Sequence, residues 1–157
     1  MAHPTIFGVS GPRDLFNLMC EVYSSYYHHP NERDFLFLCF GLYHLREWIL
    51  GTGEFNPWQR IEKQLAANRL AEEQFGIDIA QLEEFQLIKN FCNSGKHGTL
   101  REPLPKTVDA LAPFTAGSPV GDALAQRFFY VGDRNSREVF NRVLERYRNW
   151  FEKFLEG

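Results

Sequence analysis

The pentapeptide NSGKH, residues 93–97, contains an asparagine, a lysine and a histidine. A lysine beside a histidine can bind an anion, because ammonium and imidazolium carry positive charge and an asparagine amide adds a directed donor. The same pair can transfer protons, since histidine titrates near neutral pH and a neighbouring ammonium stabilises a developing oxyanion. We therefore predict that His97, Lys96 and Asn93 are catalytic residues. The alternative is a helix C-terminal cap, in which the cations only satisfy the last carbonyl groups.

A second polar group lies in the stretch YHLREW, residues 43–48, at the end of another helical pattern. His44 and Glu47 are three residues apart and share one helix face, where a carboxylate can orient an imidazole and raise its basicity. Both are candidate catalytic residues. Arg46 points to a different side of the helix and needs a different partner. The alternative is a solvated helix end with a local histidine–glutamate pair.

Three basic residues are candidates for holding a ligand. They are Arg46, Lys89 and Arg101. Lys89 precedes Asn93 by one helical turn, so a helix that continues through Gly95 would place both on one polar stripe with the last residues of NSGKH. If Gly95 instead stops the helix, the final lysine and histidine lie in the first turn of the following loop.

Composition predicts one globular domain over residues 1–157, because this length suffices for one core. The chain is 44% apolar and 15% aromatic, which is too rich for disorder, and no apolar run reaches the roughly 18 to 20 residues of a membrane span. The first residues do not resemble a secretory signal, and the three cysteines stand singly in helical patterns. We therefore expect a cytoplasmic protein with no membrane partner. The net charge of −3 means that nucleic acid binding would need a local basic patch.

Apolar periodicity predicts an all-α bundle of four to five helices. The first begins at SGPRD, residues 10–14, and ends at HHP, residues 28–30. The second, 32–50, is capped by Asn31 and is apolar nearly all round, which is typical of a central helix. The third is opened by NPWQ, residues 56–59, and runs to about Phe75, where Gly76 ends it. A capping box of Asp78 and Gln81 then opens the helix that carries NSGKH.

The segment 98–135 is expected to be a long irregular loop, because proline and glycine interrupt it too often for a long element. Within it, residues 127–131 are either a short strand or an apolar clasp over the bundle. An amphipathic helix with an apolar stripe from Val139 to Phe154 closes the chain. A long connection of this kind often covers a site.

The sequence contains no motif typical of metal binding, of a phosphate loop or of a catalytic nucleophile. The histidines lack CxxC, HExxH or carboxylate partners at ligand spacing, so we expect no metal site and no cofactor. The GTG at 51–53 lacks the preceding strand and third glycine of a phosphate loop, and no GxSxG nucleophile signature is present.

The order of these motifs resembles a group of small bacterial and phage-associated proteins. Their shared features are a helix carrying H-L-x-[DE]-W, here residues 44–48, and a helix end carrying N-x-x-K-H, here 93–97, followed by a long loop, a Phe-Tyr-Val segment and a tryptophan-bearing last helix. Over about residues 31–155 this layout is similar to the HEPN helical bundles.

The resemblance implies a helical bundle that is often dimeric and that occurs in toxin–antitoxin and phage-defence systems. Many HEPN proteins are metal-independent ribonucleases with an arginine four to six residues before a histidine. His97 matches that histidine, but no arginine precedes it at that distance; the nearest basic residue before Lys96 is Lys89. Lysine does not replace the bidentate grip of a guanidinium on phosphate.

Three hypotheses follow. The protein is a metal-independent endoribonuclease, in which His97 is the general acid or base, Lys96 and Arg46 hold the phosphate, Asn93 positions it and Glu47 orients His44. Alternatively, the same residues bind RNA or a nucleotide without cutting it. In the third hypothesis the polar residues are a structural network that pins the 98–135 loop, and the protein is a non-catalytic interaction module that binds a cognate antitoxin, another protein or a second copy of itself.

Overall fold

The computed structural model describes residues 8–97, 105–110 and 126–153, and for 95–97, 105–110 and 126–128 it describes the backbone alone. Six α-helices and three strands follow one another in these ranges. They are α1 (Pro12–His28), α2 (Glu32–Leu50), α3 (Trp58–Lys63), α4 (Ala71–Ala80), α5 (Glu83–His97), β1 (Pro105–Ala110), β2 (Gln126–Val131), β3 (Arg134–Asn135) and α6 (Ser136–Lys153), with one 3₁₀ turn at Ala66–Asn68. The prediction of a mainly helical bundle is confirmed.

Helix α2 is the centre of the bundle and packs against α1, α4, α5 and α6. The side chain of Asn31 caps its start by accepting a hydrogen bond from the Asp34 N–H at 2.9 Å. Gly51 ends it in the left-handed conformation, with φ 64°. Both the bounds and the central position match the prediction from sequence.

Aromatic side chains fill one end of the core. Tyr26, Phe35, Phe129 and Phe140 are buried and bring together α1, α2, β2 and α6, with ring centroids 5.4 to 6.4 Å apart. The Tyr26 hydroxyl shares a 2.6 Å hydrogen bond with that of Ser136, so its polar atom is satisfied. Towards the other end, the Tyr147 hydroxyl donates to the Leu42 carbonyl at 2.7 Å and ties α6 to α2.

The small sheet corrects the prediction of a wholly α-helical chain with an irregular 98–135 segment. β1, β2 and β3 form an antiparallel sheet in sequence order, with Pro105 paired to Val131 and Tyr130 to Asn135. Phe129 and Val131 are buried on either side of half-buried Tyr130, so β2 packs one face on the helices. Residues 127–131 are therefore a strand, and the remainder of the loop, 98–104 and 111–125, lies outside the described residues.

The third predicted helix, to Phe75, is wrong, because two helices stand in its place. α3 ends at Lys63, and α4 begins only at Ala71. Between them, the Arg69 side chain donates to the carbonyls of Ile61, Glu62 and Gln64, which holds the chain in a non-helical path. Gly76, expected to end a helix, lies inside α4.

The boundary of the NSGKH helix also differs from the prediction. α5 begins at Glu83, five residues after the proposed Asp78 cap, which lies within α4. At its other end α5 continues to His97, so Gly95 does not stop the helix. This is the geometry in which Lys89 and Asn93 belong to one helical stripe.

Candidate functional site

His44 and Glu47 form the pair that their spacing predicts. The His44 Nδ1 atom lies 3.0 Å from the Glu47 Oε2 atom, on the exposed side of α2. Their side chains are 51% and 42% exposed, so the pair lies at the surface and is not part of the core. With Nδ1 held by the carboxylate, Nε2 is the ring nitrogen left to exchange a proton.

Arg46 lies on the opposite side of the same helix and is buried, with 5% of its surface exposed. Its guanidinium carbon lies 4.0 Å from the ring centroid of Trp58 and 5.2 Å from that of Phe85. Arg46 therefore has the different partner that its helical position requires, and that partner is an indole ring rather than a carboxylate.

The guanidinium of Arg46 has no direct ion pair among the described residues, although Glu47 and Glu62 lie near enough to favour its charge. Its Nη1 donates to the Gly76 carbonyl at a long 3.4 Å, which accounts for one of its five N–H donors, and its buried Nε has no partner. Within residues 8–94 and 129–153, no carboxylate lies at ion-pair distance from it. Burial lowers the pKa of the Arg46 guanidinium below its ordinary value. An arginine in this state is a candidate for binding an anion.

Gly76 explains how Trp58 reaches this position. A Cβ atom on Gly76 would lie 2.2 Å from the edge of the Trp58 ring, so only glycine lets the indole pack this closely on α4. The buried indole Nε1 also has no hydrogen-bond partner in the part of the chain described. Arg46 and Trp58, whose side chains are in contact, thus each have one buried donor without a partner in the described part of the chain.

Both side chains line a cleft of about 760 Å³ that we call the cation cleft. Its charged lining residues are Arg46, Glu62, Arg69 and Lys89. Arg69 is occupied by its carbonyl contacts and by Gln74. Lys89 is half-buried and makes no hydrogen bond or ion pair with the side chains that the structure places. Arg46 and Lys89 are therefore the cations left to a ligand.

A second cleft, of about 600 Å³, adjoins the first, because Tyr43, Asn56 and Trp58 line both. We call it the aromatic cleft. Its remaining lining residues are Phe40, His44, Glu47, Glu54, Phe55, Cys92 and Asn93. Asn56 is in the left-handed region, with φ 52°, an unusual conformation for a residue other than glycine. Such backbone geometry is concentrated at ligand sites.

The structure places five of the eight predicted site residues on these adjoining clefts. Arg46 and Lys89 line the cation cleft, and His44, Glu47 and Asn93 line the aromatic cleft. The backbone of α5 includes the other two residues of NSGKH, Lys96 and His97, but their side chains lie outside the described part. Arg101 lies outside the described residues altogether.

Sequence reasoning did not identify Trp58, Phe55 or Asn56 as site residues. In the sequence Trp58 is recognisable only as part of a helix start, and its position in the site depends on Gly76, which is far along the chain. The sequence signal that points to this loop is its cluster of turn residues, GTG at 51–53 and NP at 56–57, which lies beside the polar end of α2.

No protein-family model matches the chain, and no curated protein or solved structure shows a significant match to it. In the described ranges no three histidine, cysteine, aspartate or glutamate side chains are grouped to hold a metal ion. No helix there combines the length and the apolar composition needed to cross a membrane.

Proposed function

We propose that the protein binds the phosphate of RNA or of a nucleotide in the cation cleft. The observation that carries this proposal is Arg46, a buried guanidinium with no carboxylate partner in the described part of the chain. A charge removed from water costs several kcal/mol unless it is paired. A bound phosphate would supply the missing charge and accept from the planar donor fork.

Lys89 extends the positive surface from Arg46. It comes from α5, whereas Arg46 comes from α2, so the site exists only when the two helices pack. The cleft volume of about 760 Å³ lies within the range of small-molecule sites. The overall charge of −3 does not oppose binding, because the local lining of this cleft has three cations and one carboxylate.

In its catalytic form, the proposal is a metal-independent endoribonuclease of HEPN type. One histidine removes the proton of a 2′-hydroxyl, whose oxygen attacks the adjacent phosphorus, and the 5′-oxygen leaves with a proton from a second acid. The products are a 2′,3′-cyclic phosphate and a 5′-hydroxyl. The His44–Glu47 pair suits one of these roles, and His97 is proposed for the other, with Arg46 and Lys96 holding the phosphate.

Binding is tested with a fluorescein-labelled single-stranded oligoribonucleotide in EDTA, followed by anisotropy. We expect saturable binding that weakens with salt, because phosphate contacts release counterions. Lys89→Ala and Arg46→Met should weaken it tenfold or more, whereas Lys63→Ala, an exposed lysine outside both clefts, should not. Equal effects of Lys89→Ala and Lys63→Ala would refute the site, and absence of binding would refute the proposal.

Cleavage is tested on total RNA and tRNA, again in EDTA. Loss of cleavage in His97→Ala and His44→Ala, each with an unchanged fold, would assign the acid–base roles, and the exposed His29 provides the control His29→Ala. Binding without cleavage would leave a non-catalytic RNA or nucleotide binder.

The second candidate function is a protein-interaction module, favoured by exposed apolar side chains on α2. Leu36 and Phe37 are 41% and 44% exposed on the helix that is otherwise the centre of the core. If this face binds a second copy or another protein such as an antitoxin, Phe37→Glu should prevent association. Light scattering after size exclusion tests the homodimer, and a monomer at all concentrations would refute it.

A further inference from the structure

We propose that the two clefts together hold one nucleotide with an unpaired base, its phosphate in the cation cleft and its base in the aromatic cleft. This inference rests on the proposed function and specifies the ligand class of that site. The clefts adjoin through Tyr43 and Trp58, so one ligand can occupy both.

The charged residues that line the two clefts indicate which end of the ligand each cleft binds. Three of the four charged residues of the cation cleft are positive, whereas the acidic residues of the aromatic cleft are Glu47 and Glu54. Each of these carboxylates has a basic neighbour, since Glu47 pairs with His44 and Glu54 lies 2.9 Å from Arg60. Among the described side chains that line the aromatic cleft, the one basic group, His44, already contacts a carboxylate, whereas Arg46 and Lys89 of the cation cleft do not. The aromatic cleft therefore offers little attraction to a phosphate, and the uncharged end of the ligand belongs in it.

The aromatic cleft presents faces on which a base can stack. Phe55 is 98% exposed on the loop between α2 and α3, and Phe40 is 42% exposed on α2. Both line the cleft, beside half-buried Tyr43. Every nucleobase has a π face, and stacking on an aromatic side chain tolerates all four bases. A base in a duplex is stacked on its neighbours, so only an unpaired base can enter.

Ring size gives a preference among the bases. Glu54 uses Oε2 for Arg60, and its Oε1 receives no hydrogen bond from the described side chains, so it can accept equally from the amino group of adenine or from the ring N–H of uracil. Preferences of an aromatic platform come from stacking strength, and the larger purine ring covers more of the exposed aromatic surface than a pyrimidine does. The expected order of affinity is therefore adenine above uracil for otherwise identical nucleotides.

The test measures affinities for adenosine 5′-monophosphate, uridine 5′-monophosphate and ribose 5-phosphate by calorimetry. We expect the adenine nucleotide to bind on the order of tenfold or more tightly than ribose 5-phosphate. Phe55→Ala should remove most of this ratio, and Phe55 is exposed enough for the variant to keep its fold. Leu65→Ala is the control, because Leu65 is also a strongly exposed apolar residue but lines neither cleft. Lys89→Ala should weaken the binding of the adenine nucleotide and of ribose 5-phosphate by the same factor.

The outcomes separate the two proposals. Equal binding of ribose 5-phosphate and the adenine nucleotide, or an unchanged ratio in Phe55→Ala, would overturn the base subsite and leave the phosphate site intact. Binding of none of the three ligands, nor of an oligoadenylate ten nucleotides long, would overturn both. An oligoadenylate that binds far more tightly than the mononucleotide supports a single strand as the source of the base, and similar affinities support a free nucleotide. Tighter binding of that strand after it is annealed to oligouridylate would overturn the requirement for an unpaired base.

Discussion

The guanidinium of Arg46 and the indole of Trp58 stack with 4.0 Å between the guanidinium carbon and the ring centroid. The contact joins α2 to α3 at the wall shared by the two clefts. Arg46 Nε and Trp58 Nε1 are both buried without a partner in the described part of the chain. Such groups lower stability when they are left unpaired.

Arg46→Met is expected to leave the free energy of unfolding unchanged or to raise it by about 1 kcal/mol. Replacing a buried charge by an apolar side chain of similar length is often neutral or stabilising. Urea unfolding measures the change. A loss above about 2 kcal/mol would show that Arg46 is a structural residue, as the hypothesis of a structural network requires.

Gly76→Ala is expected to destabilise the protein by about 1 to 3 kcal/mol, because the added Cβ would overlap the Trp58 ring. Displacement of the indole should also shift the tryptophan fluorescence. Gly11→Ala is the control, since a Cβ there meets no atom within 4 Å, and it should change stability by less than about 0.5 kcal/mol. Equal effects of the two substitutions would contradict the close packing of Trp58 on α4.

His44→Ala is expected to change the free energy of unfolding by less than about 0.5 kcal/mol, because exposed ion pairs contribute little. Tyr26→Phe shows that the assay detects a real loss: it removes a buried hydrogen bond to Ser136 and should cost about 1 kcal/mol. If His44→Ala costs as much as Tyr26→Phe, the histidine stabilises the fold and its proposed role in proton transfer loses its basis.

Stability is expected to fall as the pH rises above about 9. Burial raises the pKa of the Cys92 thiol to about 12, and it raises the pKa of the Tyr147 hydroxyl well above its ordinary value. Groups whose pKa is raised by folding contribute stability that is complete below their unfolded values, 9.0 for the thiol and 10.0 for the phenol. That contribution is lost as the pH rises towards the folded values, because the unfolded chain ionises first.

Urea midpoints at pH 7, 8, 9 and 10 measure this decline. Cys92→Ala removes one of the contributing groups and should make the decline between pH 9 and 10 shallower. A wild-type midpoint that rises over this interval would contradict the burial of these groups.

Periodicity and capping residues were enough to predict α1, α2 and α6, because each has an apolar stripe or an end signal within its own sequence. The His44–Glu47 pair was equally predictable, since the two residues are held by one helix turn. Local signals failed between residues 56 and 82. There the side chain of Arg69 binds carbonyl groups over several residues and breaks a pattern that reads as one helix.

The sequence by itself determined which residue types stand at the ends of α2 and α5, and hence which residues are candidates for anion binding or proton transfer. Only the tertiary structure decided which of them meet. Periodicity shows that Arg46 and His44 face different sides of α2, but it does not show that one is buried on Trp58 while the other meets solvent. Burial depends on what packs against each side, and α3, α4 and α5 reach Arg46 from parts of the chain that local spacing does not connect.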